Sequence, residues 1–524
     1  MPFLGSTVLA SIDESLPARA CHRTGRIGTA SEELHDMKTV SGLDGTFLHM
    51  ETPETPQHVG ALSRYVLPAG YKGDFYDDFR RGLSKRLHLV PVFSRKLAPM
   101  PLQFANPVWV EEGRVDLDYH VQRITLPRPG TQAQLEDCVG RLHSELLDRS
   151  HPLWQIAVID GLDNGDVAYY LKVHHATMDG QASVLMAQTL FDPTPKPRRI
   201  QRGQLPAAEH PGTAELAAMA LKHDAGQYLK LIRQLPDVVK TLADLFGADR
   251  GKAPSPPRES ASFAPKTVLN KEITGERGFA ALSIPLDTLK RLAAAHEAKL
   301  NDVVLALCSG ALRRYLKQRG GLPKKPLIAA MPISVREAGN TEFSTQATMA
   351  LVNLNTQIAD PVKRLRAIRD ASLFAKQQAK AARGVTPTDF PSIGEPWLIQ
   401  ALTSLYGRPG VANAMPNLAN VVISNVPGPT APLYAAGARM ATYWPLSIVG
   451  HGLGLNITVL SYAGAMGFGF TTARSAVPDA RELSAALLAA LDELVAGSDI
   501  APAKRALRMA VSKEALKPSR KRPS

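Results

Sequence analysis

The sequence predicts an α/β (α+β) protein built from two lobes. A chain of 524 residues with 44% hydrophobic content can bury a large core, and this length is typical of two or three domains. Strand-like runs rich in β-branched and aromatic residues alternate with helical stripes in both halves of the chain. Two proline clusters, residues 192–199 and 252–258, separate these halves and indicate a crossing between domains.

The first lobe is predicted over residues 37–200, after a disordered extension, residues 1–36, that carries no sustained periodicity. Met37 is an alternative start. Within the lobe we predict two helices, residues 73–89 and 132–147, and two strands, residues 154–159 and 167–173.

A helical linker is predicted over residues 201–277. Apolar side chains recur at intervals of three and four between Tyr228 and Phe246, with basic residues between them, and Pro236 should kink or restart the helix. Such a helix either packs on its own protein or lies on a membrane surface.

The second lobe is predicted over residues 278–500, followed by a basic tail, residues 501–524. Helices should begin near Leu286 and at Asn301-Asp302. Strands are predicted at residues 279–284, 327–333, 418–424, 454–462 and 466–471, the last two forming a hairpin through residues 463–465.

The formal net charge of +13 indicates an anionic partner, which can be nucleic acid, the phosphates of a cofactor or an anionic membrane surface. The three cysteines, Cys21, Cys138 and Cys308, form no disulfide or metal pattern, which favours a reducing compartment. No membrane-spanning run or signal peptide is evident, so we expect a cytoplasmic protein. No nucleic-acid-binding module is recognisable, and nucleic acid is not expected as a partner.

The candidate chemistry lies at His174-His175-Ala-Thr-Met-Asp179-Gly180, where a strand is predicted to end and a helix to begin. A histidine can accept a proton near neutral pH, and a nearby carboxylate can hold its ring or loop in place. Gly180 permits close approach of another backbone or side chain. Adjacent histidines on a strand point to opposite faces, so a shared metal ion is disfavoured and no metal site is predicted.

Further motifs carry a family resemblance. Together with His-His-x-x-x-Asp-Gly, the chain resembles the bacterial wax ester synthase/acyl-CoA:diacylglycerol acyltransferase family, within the superfamily of CoA-dependent acyltransferases, over residues 41–497. The supporting motifs are Leu43-Asp44 through Phe47, Pro152-Leu153-Trp154, Asn301-Asp302, Pro332 through Arg336, and Ser424-Asn425 through Pro429. The extension and the linker are longer than this family leads us to expect. The plant-type acyltransferases are disfavoured because their DFGWG sequence is absent.

The resemblance implies two chloramphenicol acetyltransferase-like lobes with the active site between them. It implies that long-chain acyl-CoA is a co-substrate, that no cofactor is permanently bound, and that diacylglycerol or a long-chain alcohol accepts the acyl group. His175 would be the general base, Asp179 a structural residue and His174 a support for the loop. Arg336 is a candidate partner for Asp179, and the candidate oxyanion donors are Asn301 and a loop amide. Residues that bind CoA are not assigned.

The resemblance also implies peripheral association with the inner membrane, or with lipid inclusions. Two other functions remain open: a condensation-type acyltransferase that takes its acyl group from a carrier protein, and a non-catalytic protein that binds lipid surfaces. Two of the supporting motifs have structural explanations as well. Pro152 to Trp154 fits a strand entry with a packed indole, and Asn301-Asp302 fits a helix cap.

Overall fold

The computed structural model describes residues 37–201, 203–247, 263–334, 347–381, 392–408 and 410–498. The predicted extension (1–36), the basic tail (501–524) and Arg336 lie outside the described residues.

Fifteen strands are assigned within these ranges. They are β1 Lys38–Thr39, β2 His58–Val66, β3 Arg95–Ala98, β4 Val108–Glu111, β5 Val121–Thr125, β6 Trp154–Asp160, β7 Val167–His174, β8 Arg277–Pro285, β9 Ile328–Ser334, β10 Ala347–Asn353, β11 Val421–Val426, β12 Tyr434–Ala435, β13 Ala438–Leu446, β14 Leu455–Tyr462 and β15 Ala465–Ala473.

Twelve α-helices are assigned in the same part of the chain. They are α1 Gly42–Met50, α2 Phe75–Ser84, α3 Leu117–His120, α4 Gln132–Ser144, α5 Gly180–Leu190, α6 Thr213–Gly247, α7 Leu286–Ala295, α8 Leu300–Gln318, α9 Pro361–Ala381, α10 Glu395–Tyr406, α11 Val411–Ala414 and α12 Arg481–Ala496. The 3₁₀ turns are Leu87–Leu89, Pro91–Phe93, Pro101–Gln103 and His175–Thr177.

Each lobe is organised around a six-stranded mixed sheet. The first sheet has the order β12-β13-β2-β7-β6-β5, and the second has the order β10-β9-β11-β14-β15-β8. A separate three-stranded sheet has the order β1-β4-β3. A large cluster of buried apolar side chains packs against each six-stranded sheet. The predicted α/β fold class with two lobes is therefore confirmed.

The first sheet is completed by a segment from late in the chain. Strand β13 pairs antiparallel with β2, with Tyr443 opposite Ser63, and β12 pairs with β13 at the sheet edge. Residues from within the predicted second lobe thus belong to the first sheet. Nothing in the local pattern of β13 distinguishes these pairings from those within its own lobe, because pairing partners are set by tertiary contacts.

The predicted hairpin of the second lobe is present. Strands β14 and β15 pair antiparallel from Leu455 opposite Thr472 to Tyr462 opposite Ala465. The connecting residues Ala463 and Gly464 both have positive φ, as the two-residue hairpin turn requires.

The helix predicted over residues 73–89 is shorter in the structure. Helix α2 ends at Ser84, where the amide of Arg86 bonds to the carbonyl of Leu83 and the backbone tightens into a 3₁₀ turn. The second predicted helix ends at Ser144 because Glu145 is extended. The linker helix α6 is assigned as one element that runs through Pro236, so of the kink or restart expected there, a restart is not seen.

The two sheets approach each other at β13 and β15. A Cβ atom added to Gly469 would lie 1.8 Å from the carbonyl oxygen of Pro445, and one added to Gly467 would lie 2.5 Å from that of Tyr443. The alternating glycines of β15 therefore allow backbone contact between the lobes.

Candidate active site

The two histidines lie at the end of β7, and the backbone is fixed on both sides. The amide of His174 donates to the carbonyl of Leu153 (3.0 Å), and the amide of His175 donates to the carbonyl of Gln57 (2.8 Å). Strand β7 is buried along its whole length. The histidine pair therefore projects from a rigid part of the sheet, as expected for a site that must hold its geometry.

The His175 ring is packed against an aromatic side chain from α1. It stacks on Phe47 with ring centroids 4.0 Å apart. Burial lowers the pKa of His175 to about 4, although contact with its own backbone and the charge of Asp179 oppose this shift. The imidazole is therefore neutral at physiological pH and has a lone pair available to accept a proton.

His174 faces away from the pocket and into the protein. Its Nδ1 accepts a hydrogen bond from the amide of Ala176 (3.0 Å), which closes the 3₁₀ turn that carries His175. A neutral imidazole with an accepting Nδ1 carries its proton on Nε2. That Nε2 lies 3.4 Å from Oε1 of Glu51, so the carboxylate favours this tautomer.

Glu51 is the centre of a buried polar cluster behind the histidine turn. Its carboxylate also lies 3.3 Å from Nε2 of His58 and 2.9 Å from a guanidinium nitrogen of Arg149. Burial alone would raise the pKa of Glu51, but the contacts with His174 and His58 hold it well below its usual range. The carboxyl group is therefore ionised, and it supports His174 from behind.

Asp179 and Gly180 form the beginning of α5. Asp179 is the N-cap, and its Oδ1 accepts from the amides of Gln181 (3.1 Å) and Ala182 (2.9 Å). A Cβ atom added to Gly180 would lie 2.9 Å from the side chain of Val426 in β11, which belongs to the other sheet. These two residues therefore set the start of α5 and its close approach to the second lobe.

A pocket of about 170 Å³ lies between the two sheets. Its lining combines the histidine loop with the end of β11, and includes His175, Asp179, Gly180, Ser424 and Asn425. Five of the sequence-predicted residues therefore meet in one cavity, although they are separated by almost 250 positions in the chain. Apolar side chains from β2, β7, α5 and the loop before α5 supply much of the remaining surface, including Val59, Leu171, Val173, Met178 and Met186.

Asn301 and Asp302 have different environments at the beginning of α8. Asn301 accepts a hydrogen bond from Nδ2 of Asn425 (3.3 Å), so it contacts a residue that lines the pocket. Asp302 is buried and accepts from the amide of Lys299 (2.9 Å), as a residue of the first helical turn does. The structure thus brings Asn301 towards the site and gives Asp302 a capping contact.

Pro152, Leu153 and Trp154 lie behind the site. All three are buried, and Leu153 supplies the carbonyl that holds His174. The indole of Trp154 stacks on His120 at 4.1 Å and donates to the carbonyl of Phe93 (3.2 Å). This motif anchors the beginning of β6, the strand next to β7.

Phe47, Glu51 and His58 were not singled out as site residues from the sequence, apart from the place of Phe47 in a family motif. His58 reaches His174 only because β2 pairs with β7, which sets the two histidines opposite each other, with Glu51 contacting both. The one sequence feature that pointed to His58 was its position at the start of a strand-like pattern. A histidine in such a position is commonly a core residue without a functional role. Arg336, the predicted partner of Asp179, lies outside the described residues.

Two properties of the described ranges concern membranes and metals. No helix there is long and apolar enough to cross a bilayer. No group of three or more histidine, cysteine, aspartate or glutamate side chains in those ranges could hold a metal ion.

The fold is shared with known acyltransferases and condensation domains. A wax ester synthase/diacylglycerol acyltransferase from Marinobacter aquaeolei VT8 superimposes with a TM-score of 0.62 at 28% identity, covering 88% of this chain and 100% of that one. The first condensation domain of the calcium-dependent antibiotic synthetase superimposes with a TM-score of 0.52 at 14% identity, a likeness of fold alone. The fold and its histidine loop define a two-lobed acyltransferase.

Sequence comparisons specify the family. The model of the wax ester synthase/diacylglycerol acyltransferase catalytic domain matches residues 40–304, and the model of the corresponding C-terminal domain matches residues 344–495. A putative diacylglycerol O-acyltransferase of Mycobacterium tuberculosis is 34% identical over 466 residues, 87% of this chain and 99% of that protein. An O-acyltransferase of Acinetobacter baylyi is 33% identical over 460 residues, 85% of this chain and 94% of that protein. The chain belongs to the wax ester synthase/diacylglycerol acyltransferase family.

Proposed function

We propose that this enzyme transfers a long-chain acyl group from acyl-CoA to diacylglycerol, to a long-chain alcohol, or to both. The observation that carries this proposal is a neutral His175 in an apolar pocket between the lobes of a family acyltransferase. The names of its relatives support diacylglycerol and wax-forming alcohols as acceptors.

The chemistry requires a base because an alcohol is a weak acid. His175 removes the hydroxyl proton as the alcohol oxygen attacks the thioester carbonyl, and then gives that proton to the departing CoA thiolate. The new oxygen–carbon bond forms first and gives a tetrahedral oxyanion, and the carbon–sulfur bond then breaks as the carbonyl re-forms, so the acyl group is transferred without attachment to the enzyme. Acyl-CoA enters as a co-substrate, and this scheme uses no permanently bound cofactor.

The neighbouring residues position the base and the reacting groups. Glu51 fixes the tautomer of His174, and His174 closes the turn that presents His175. The linked amides of Asn301 and Asn425 are candidate donors to the oxyanion, because Asn425 lines the pocket. Asp179 holds the beginning of α5 rather than exchanging a proton.

Both acceptors dissolve in lipid and not in water. We therefore propose that the protein associates peripherally with an anionic membrane or with the surface of lipid inclusions. The net charge of +13 supports this association.

The test is an acyl-transfer assay with purified protein, palmitoyl-CoA and each acceptor in turn, following thiol release and neutral-lipid products. His175→Ala should lower kcat by about 10²–10⁴-fold, the usual contribution of a general base. His210→Ala, which removes an exposed histidine of the linker, should leave the rate unchanged. Activity of the His175 variant close to that of the wild type would refute the mechanism, and a requirement for a carrier protein would refute acyl-CoA as the donor.

A further inference from the structure

Three neighbouring segments carry large apolar side chains that are exposed to solvent. They are the turn Pro101–Gln103, the described first part of α6, and α10. We call this surface the apolar face, and its residues are Leu102, Leu221, Tyr228, Leu229, Ile232, Trp397, Leu398, Leu402 and Leu405. Each of these side chains is about half exposed or more. Isolated exposed hydrophobic residues are ordinary, but a cluster of nine marks an interaction site.

Helix α6 carries its apolar residues on the side that faces solvent. Leu221, Tyr228 and Ile232 follow one another at helical spacing and form an exposed stripe. The opposite side of the helix is buried through Leu216 and Met219. The helix is therefore apolar on both of these sides, and its own protein covers only one of them.

Helix α10 is exposed over most of its surface beyond its first turn. Leu398, Leu402 and Leu405 form an apolar stripe, and Trp397 lies beside it. The one charged residue of the helix, Glu395, is buried, and its carboxylate accepts from Nδ2 of Asn106 (3.0 Å). The exposed surface of α10 consequently has no charged side chain, as expected for contact with an apolar medium.

The turn at Leu102 has an unusual backbone. Leu102 is 88% exposed, and both Leu102 and Gln103 have a φ of 53°, in the left-handed region that non-glycine residues avoid. This conformation costs free energy and yet directs a leucine into solvent. The cost is explained if the leucine inserts into an apolar phase.

Hydrogen bonds join the three segments. The buried carboxylate of Asp224 in α6 accepts from the amides of Ser392 (3.0 Å) and Ile393 (2.7 Å), just before α10. The indole nitrogen of Trp397 donates to the carbonyl of Leu102 (3.2 Å). The apolar face is therefore one connected surface.

Cations border this surface. Lys222 and Arg233 are exposed on α6, and Arg408 is exposed just after α10. This arrangement of apolar centre and basic border is complementary to a bilayer with anionic headgroups.

The apolar face is also connected to His175. Glu395 at the beginning of α10 accepts from the hydroxyl of Thr46 in α1 (2.9 Å). The next residue of α1, Phe47, stacks on His175. A lipid surface in contact with α10 thus lies beside the helix that packs against the proposed base.

We propose that the apolar face docks on an anionic lipid bilayer, and that acceptor lipid enters the active site along α1 from that surface. The second part of this inference rests on the proposed function, because it assumes a lipid acceptor. The first part concerns binding alone and stands without it.

Sedimentation of the full chain with vesicles of phosphatidylcholine and phosphatidylglycerol tests the docking. Leu398→Gln should weaken partition into these vesicles about tenfold, from the loss of one buried leucine side chain. Leu373→Gln is the matched control, since Leu373 is similarly exposed (54% against 61%) but belongs to α9, which is not one of the three segments of the apolar face. Brominated lipid should quench the fluorescence of Trp397, and Trp397→Phe should remove that quenching.

Transfer assays separate this inference from the proposed function. Leu398→Gln should reduce transfer to diacylglycerol in vesicles and leave transfer to a water-soluble alcohol unchanged, whereas His175→Ala should lose both reactions and still bind vesicles. Active wild-type protein that does not bind vesicles would overturn the docking surface and leave the proposed function intact. Vesicle binding without any transfer would refute the proposed function alone. Self-association that Leu398→Gln abolishes, without vesicle binding, would assign the surface to a second copy of the chain and also overturn the proposal.

Discussion

Replacing Glu51 by glutamine removes one negative charge from the buried cluster behind His175 and keeps the size of the side chain. The carboxylate contacts His58 at 3.3 Å, His174 at 3.4 Å and Arg149 at 2.9 Å. Both imidazoles face Oε1 and the guanidinium faces Oε2. In the variant an uncharged amide oxygen faces the imidazoles, and the amide nitrogen, a donor, meets the donors of Arg149. Both imidazoles therefore face a neutral acceptor in place of a charged one, and the preference of His174 for the tautomer protonated on Nε2 is weakened.

The size of the expected fall in kcat follows from the contacts that Glu51 makes and the variant weakens. A hydrogen bond to a charged group contributes about 1.5–3 kcal/mol. The two imidazole contacts with Glu51, at 3.3 and 3.4 Å, are ion-pair contacts longer than such bonds, so their loss should cost about 1.5 kcal/mol. The contact with Arg149 adds little, because that guanidinium is 42% exposed. Each 1.4 kcal/mol that is lost from the positioning of His175 lowers the rate tenfold, so kcat should fall by about tenfold.

The assay is steady-state release of CoA thiol, with kcat and KM measured separately. Because Glu51 does not line the pocket, the KM for acyl-CoA should remain close to that of the wild type. Glu54→Gln is the control, since Glu54 lies in the same loop and is exposed. A folded Glu51→Gln variant with kcat within about twofold of the wild type, against the tenfold step expected per 1.4 kcal/mol, would refute the role of Glu51 as a positioning residue.

Further predictions concern stability. Gly469→Ala should lower the free energy of unfolding by about 1–3 kcal/mol, because its Cβ would meet the carbonyl of Pro445. Gly226→Ala should raise the free energy of unfolding by about 0.5–1 kcal/mol, because a Cβ there enters open space and alanine favours a helix. Urea unfolding measures both changes. Burial lowers the pKa values of His58 and His120 to about 4, whereas unfolded histidines titrate near 6.5. The unfolded chain therefore binds more protons between pH 6.5 and 4, so the stability from these histidines is present above pH 6.5 and is lost as the pH falls through this window. The slope should reach about 1.4 kcal/mol per pH unit for each histidine, and urea midpoints that are equal at the two ends of this window would contradict it.

Local pattern was sufficient to place several elements correctly. The hairpin of β14 and β15 follows from strand periodicity on either side of a glycine-containing turn, and both are properties of neighbouring residues. The position of the histidine motif at the junction of β7 and α5 was likewise predictable from the pattern of neighbouring residues. The predicted helix ends were less accurate, as at Ser84, because the residue at which a helix stops depends on single capping or 3₁₀ hydrogen bonds.

The apolar face shows how pattern can mislead. The spacing of Tyr228 and Ile232 indicates an amphipathic helix, and such a stripe can face the core or a membrane equally well. Only the packing of Leu216 and Asp224 shows which side of α6 is already occupied.

At His174-His175 the sequence alone determined the strand end, the following helix with Asp179 at its start, and the family to which these residues point. It could not determine that Glu51 lies behind His174, that Asn425 contacts Asn301, or that β13 completes the first sheet. The physical reason is the distance along the sequence between the residues that must meet. Secondary structure is encoded by periodicity over a few residues, whereas these contacts join distant segments whose pairing depends on the packing of the whole chain.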